Sequence, residues 1–213
     1  MVRQTCIHVL WWKGNETVGH SDQFFPWKSI WKQKIPSRVA FFVWTAALGK
    51  CLTIDNLRKR KVCILDWCYM CKCNNETVDH LFIHCPVALE MWDMVFGLFG
   101  VCWVMPMSVV ELFACWQGRF GRHRNGDIWM VVPHCLMWCI WKERNSRCFE
   151  DNEHSMPNLK LLFFRTLLDW FSVWRNHPFL LFWIFLIYVI FVFDMYTPVY
   201  FLCTWASLSF CYQ

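Results

Sequence analysis

The run CYMCKCNNETVDHLFIHC, residues 68–85, spaces Cys68, Cys71, His80 and Cys85 as C-x2-C-x8-H-x4-C, and this array constrains the chain more than any other feature. Three thiols and one imidazole complete a tetrahedral shell for Zn²⁺, and a shell filled by protein leaves no open position for water or substrate. The spacing therefore predicts one structural zinc ion. Three thiolates around the metal leave a net negative charge, and the basic run Arg58, Lys59, Arg60 and Lys61, with Lys72, lies close in sequence to offset it. Basic surroundings lower thiol pKa and favour metal loading.

Cys68-Tyr-Met-Cys71 is short enough for a tight knuckle with both sulfurs facing one metal, and Asn74 and Asn75 supply turn chemistry before the chain returns. His80 then falls on a short helical stretch. Pro86 disfavours the α conformation for Cys85, so a break there can turn the Cys85 sulfur toward His80. His84, four residues after His80, would share its helical face and is the rival fourth ligand; Cys73 is a weaker rival. Free Cys also behaves as a small hydrophobe, and the chain has 14 of them. Four ligand residues within 18 positions of a polar, turn-rich stretch are nonetheless a poor match to core filling. A thioredoxin-like role for Cys68 and Cys71 would need a βαβ context, and no such pattern is visible.

With 213 residues, 57% of them hydrophobic and including 16 Trp and 20 Phe, the chain has ample apolar material for one or two modest domains. The first 20 residues carry Arg3, His8, Lys13 and Glu16 without a continuous apolar stretch, so no secretory signal is expected. Cysteines scattered beside a metal array suit a reducing compartment, which makes the expected location intracellular, nuclear or cytoplasmic. The sequons at Asn15 and Asn75 are then chance matches.

Charge is unevenly spread. Residues 28–72 hold ten Lys or Arg against Asp55 and Asp66, a balance of 10 − 2 = +8, whereas the whole chain carries +5. Trp27, Trp31, Phe41, Phe42, Trp44 and Trp67 interleave with these cations. Basic groups beside aromatics can hold phosphates while bases stack, the arrangement of single-strand binders, and Arg58, Lys59, Arg60, Lys61 and Lys72 are the candidate contacts to RNA or DNA. The same pattern also describes an amphipathic helix with a solvated basic face.

Helical punctuation dominates the chain. Pro36 suits the first turn of a helix to Leu48, with Val39, Ala40, Val43, Ala46 and Ala47 as its apolar stripe and Gly49 as its stop. Thr53 can cap a short helix through Arg60, and Pro86 opens another whose face is Val87, Met91, Trp92, Val95 and Phe96, ending at Gly97 to Gly100. Ser108 to Glu111 has capping-box form. A basic loop over 118–126 precedes a helix capped by Asp127 that reaches Phe149 with Pro133 near its start, and Ser155 can cap one to Arg175. Strand-like alternation is nearly absent. The expected fold is all-α, a small helical domain pinned by one structural zinc, followed by an apolar helical tail.

Beyond Pro178 the only charged residue is Asp194, and residues 179–193 form an unbroken apolar run of 15. A membrane span needs about 20 such residues, so the run is short, although a single-pass anchor through 179–193 remains the alternative location.

From about Phe25 to Trp174 the chain resembles the reverse-transcriptase zinc-binding domain at the C-terminal end of plant LINE-type non-LTR retrotransposon polyproteins. The matching segments are FPWKSIWKQKIPSRVAFFVWTAALGKCLTIDNLRKR, the CYMC…ETVDHLFIHCPVA…MW stretch and WKERNSRCFED. The resemblance implies zinc ligation by Cys68, Cys71, His80 and Cys85. It also implies a parent protein with an endonuclease and a polymerase upstream. The expected organisation is an N-terminal extension (1–24), the zinc-binding domain (25–105), a helical C-terminal region (106–177) and the apolar tail (178–213).

A polymerase of that kind needs paired metal-binding aspartates, and the sequence has no Asp-Asp pair, so the chain is expected not to be an enzyme. The expected function is a zinc-stabilised nucleic-acid-binding module without a small-molecule substrate. The alternatives are a zinc-stapled helical interaction fragment anchored to a membrane by its tail, and a retrotransposon remnant with no cellular role.

Overall fold

The computed structural model of the chain describes residues 25–62, 66–116 and 126–174. Contacts divide the chain into two units, 1–160 and 161–213, and the first holds the candidate site and the core described here. The described residues contain helices α1 (Trp27–Trp31), α2 (Ser37–Ala47), α3 (Ile54–Lys59), a π-helical turn (His80–His84), α4 (Pro86–Phe99), α5 (Val109–Cys115), α6 (Gly126–Phe149) and α7 (Met156–Trp174), and no strand. The all-α expectation holds. The apolar run 179–193, the basic-loop residues 118–125, Asn15 and the rest of the N-terminal extension lie outside the described residues. Among the described residues no helix is long and apolar enough to cross a membrane.

The longest helix, α6, lies at the centre of the first unit. It is buried almost all round, from Ile128 and Trp129 through Val132, Leu136 and Ile140 to Glu143 and Arg144, which is the pattern of a helix enclosed by others. Helices α2 and α4 and the π-turn pack against it, and α1 packs on α2 and α5. The stripe read from the sequence of α2 is buried as expected, with Phe42 added to it. In α4 the buried face is Ala88, Met91, Trp92, Met94, Val95 and Phe96, with Val87 half-buried, so the face is rotated slightly from the expected one. Gly100 closes α4 in the left-handed conformation at φ 61°, which glycine adopts without steric cost. Helix α1 follows Pro26 directly and was not legible as a separate element.

Two prolines leave helical carbonyls without their usual donors, and two tryptophans supply replacements. Pro133 lies inside α6 and has no N–H for the carbonyl of Trp129 four residues earlier; the indole N–H of Trp116 donates to that carbonyl at 2.9 Å. Pro86 stands four residues after Phe82, and the Trp92 indole donates to the Phe82 carbonyl at 2.9 Å. The Trp116 and Trp129 rings then stack, centroids 4.2 Å apart at 13°, with Trp92 and Trp103 tilted against Trp116. Each such aromatic pair contributes about 0.5–1.5 kcal/mol beyond its buried area. These rings form one aromatic core cluster in which the Trp92 and Trp116 indoles are hydrogen-bonded and the buried Trp103 indole N–H has no partner among the described residues.

Capping differs in detail from expectation. Ser108 accepts from the Glu111 N–H at 3.3 Å, as a capping box requires, while the Glu111 carboxylate reaches the N–H of Met107, one residue earlier than the usual partner. Thr53 occupies the N-cap position of α3, but its hydroxyl donates to Asp55 and accepts from the Asn56 side-chain amide, not from a backbone N–H of the helix; the Ile54 N–H is taken by Glu76 at 3.1 Å. Asp127 lies in the first turn of α6, which starts at Gly126, and so is not its cap.

Candidate metal centre

Cys68, Cys71, His80 and Cys85 converge, with their Sγ and ring-nitrogen atoms all within 4.8 Å of one another. Cys68 and Cys85 are fully buried and the other two half-buried. The knuckle forms because the Cys68 N–H donates to the Asn74 carbonyl at 2.6 Å and the Lys72 N–H to the Cys68 carbonyl at 2.8 Å. Lys72 takes the left-handed conformation at φ 59° to make that turn.

The second pair is set by the π-turn. Its closing bond runs from the Cys85 N–H to the His80 carbonyl at 2.6 Å, a five-residue step that stacks position 85 over position 80. An α-helix would instead have stacked His84 over His80. Cys85 itself is extended at φ −62°, ψ 133°, as expected before Pro86. The His84 ring lies 3.0 Å from the Met107 carbonyl, and Cys73 is exposed, its thiol donating to the Cys71 carbonyl at 3.0 Å. Neither rival shares the cluster.

The four groups polarise one another. Cys68 is pushed up to about 12 by the proton it shares with Cys85 and by burial, and Cys85 is correspondingly lowered. His80 is raised, first by its contact with Cys68, and its ring nitrogen stands 3.4 Å from the Cys71 sulfur. Burial acts against ionisation of Cys71, but the backbone N–H groups of Cys73 and Asn74 and the His80 ring outweigh it and lower this thiol. Metal binding at such clusters is coupled to release of the protons its ligands carry. Three sulfurs and one imidazole with no oxygen donor suit Zn²⁺; Ca²⁺ and Mg²⁺ require oxygen ligands.

The knuckle is clamped by residues the sequence reading missed. Glu76, fully buried, accepts from Arg144 Nε at 3.0 Å and Nη2 at 2.8 Å, from the Ile54 N–H at 3.1 Å and, through its other oxygen, from the Tyr69 N–H at 3.1 Å. One carboxylate therefore ties the Cys68–Cys71 loop to α3 and to α6. Arg147 adds a bond to the Met70 carbonyl at 2.9 Å and is held by Glu143 at 2.7 Å, which also receives His154. Glu143 and Arg147 stand four apart on one helix, the one sequence signal that could have found the clamp.

Of the candidate nucleic-acid contacts, Arg58 pairs with Asp66, Lys59 with Asp55 at 3.1 Å and Lys72 with Glu153 at 2.8 Å. Lys72 holds the Glu153 carboxyl below its usual range. Arg60 and Lys61 are exposed and have no ion-pair partner among the described residues.

The first unit is thus a helical domain organised around a Cys3His donor set. Residues 8–92 match the family described as zinc-binding in reverse transcriptase, the family the sequence resembles, and the match includes all four donors. A protein of Arabidopsis thaliana named "Putative ribonuclease H protein" is 25% identical over 136 residues, which is 62% of this chain and 21% of that relative. The chain thus spans about a fifth of its length. No solved structure matches.

Proposed function

We propose that the chain is a zinc-stabilised nucleic-acid-binding module derived from a retrotransposon reverse transcriptase, with Cys68, Cys71, His80 and Cys85 holding one structural Zn²⁺. The observation that carries this reading is the mutual approach of the four donors within 4.8 Å. Protein donors fill the shell, so the metal would staple the knuckle and offer substrate no position. On this reading the chain is non-catalytic by itself, and the activity in the relative's name belongs to that protein.

Nucleic-acid binding is supported by the +8 balance over residues 28–72, counted as ten cations and two acids. The test is binding of the full-length chain to a labelled single-stranded RNA across a salt series. Affinity should fall as salt rises, by about 0.7 in the log–log slope for each phosphate contact. Replacing Arg58, Lys59, Arg60 and Lys61 together should remove about 1.4 from that slope, since two of the four are already paired with acids. Binding indifferent to salt contradicts the reading.

A further inference from the structure

The cations flagged by the sequence run are largely neutralised, whereas those of α1 and the turn after it are not. Residues 25–54 contain Lys28, Lys32, Lys34, Arg38 and Lys50 and no Asp or Glu. Among the described residues none of the five has an ion-pair partner, and all five are exposed. The same stretch leaves large aromatic rings in solvent: Trp27 is 49% exposed, Trp31 45% and Phe41 55%.

Trp31 and Phe41 are joined through Trp44. Trp27 and Trp31 stand four apart, so they share one face of α1. Trp31 lies 6.2 Å from Trp44, and Trp44 5.6 Å from Phe41, tilted at 54° and 47°. Tilted neighbours do not stack face to face, so Trp31 and Phe41 keep ring surface for a flat partner, while the Lys28 ammonium stands over the Trp27 ring at 5.4 Å and brings a cation to that stacking face. An exposed apolar patch of this kind beside unpaired cations marks an interaction surface. Lysines hold phosphates as point charges while aromatic faces take bases, whichever base is presented.

We propose that Trp27, Trp31 and Phe41, flanked by Lys28, Lys32 and Lys34, form a stacking platform for unpaired nucleotides of a single strand. The proposal rests on the nucleic-acid reading above and moves its centre from Arg58–Lys61 to α1 and α2.

The test uses the full-length chain and its Trp31→Leu/Phe41→Leu variant, with labelled oligo(U), oligo(dT), a duplex of equal length and phosphatidylcholine–phosphatidylserine vesicles. Leucine keeps apolar bulk and removes the ring face, and both positions are exposed, so helicity and metal content should match the parent. Loss of two stacks should weaken single-strand binding by at least about tenfold at every salt concentration, leaving the salt slope unchanged. Lys28→Gln/Lys32→Gln/Lys34→Gln should instead lower the slope by about 2. Comparing oligo(U) with oligo(dT) then separates RNA from DNA as the source of the strand. Single-strand binding by the parent that the leucine variant retains in full overturns the platform and leaves the nucleic-acid reading standing. A parent that binds no single strand overturns both, and preference for duplex or vesicles overturns the platform.

Discussion

Glu76 shows how much of this domain rests on single side chains. A buried carboxylate serving one guanidinium and two backbone N–H groups is costly to remove, because the buried Arg144 charge loses its counter-ion and the Ile54 N–H its acceptor. Glu76→Leu should therefore lower unfolding free energy by about 3–5 kcal/mol, measured by chemical denaturation with metal present. Adding Arg144→Met, a change that rescues many isolated buried ion pairs, should fail to restore stability here, since the Ile54 N–H still loses the carboxylate that accepts from it. Full rescue would show that the ion pair alone matters. The four converging side chains were legible in the sequence because their spacing is local, confined to residues 68–85. Glu76 was not, because its partners come from positions 54, 69 and 144 and no spacing links them.

At the scale of elements, proline placement and tryptophan hydrogen bonding form one system. Trp116→Phe keeps a ring in the stack but leaves the Trp129 carbonyl without the indole donor, at a cost of about 1–3 kcal/mol. Pro133→Ala returns a backbone N–H to the same carbonyl, so in that background Trp116→Phe should cost clearly less. A double-mutant cycle by thermal denaturation measures the coupling, and strict additivity would rule it out. The prolines and the helices they start or interrupt could be read from the chain, as the opening of α4 at Pro86 shows. The distant indole that each one requires could not. The π-turn had a partial signal: His80 and Cys85 stand five apart, the step a π-turn closes, but only tertiary packing selects it over an α-turn.

For the whole molecule, an all-α fold followed from helical periodicity and caps, whereas the central position of α6 did not. Its apolar residues encircle it, so no face marked which neighbours it would meet. One consequence of that enclosure is pH-dependent stability. The ring of His134 is fully enclosed against Phe113, neither nitrogen is placed for a well-formed hydrogen bond among the described residues, and burial pushes its pKa down to about 3 although the backbones of Ile30, Met130 and Ser29 oppose the shift. A ring whose folded pKa lies below its unfolded value contributes stability above the unfolded value. That stability is lost as pH falls from about 6.5 toward about 3, where the unfolded chain takes up a proton that the fold resists. His134→Leu should flatten the decline over this window in denaturation curves measured without metal, and identical slopes for parent and variant would contradict the assignment.

The central claim is that four side chains form one closed zinc site, and metal content per chain tests it most directly. The full-length protein, purified under reducing conditions, should carry one zinc by elemental analysis. His84→Ala should keep it, because that ring lies against the Met107 carbonyl, and Cys85→Ser should lose it, because its sulfur is one of the four converging donors. Stoichiometric zinc retained in Cys85→Ser and lost in His84→Ala, or a parent protein that binds no zinc, would contradict the account.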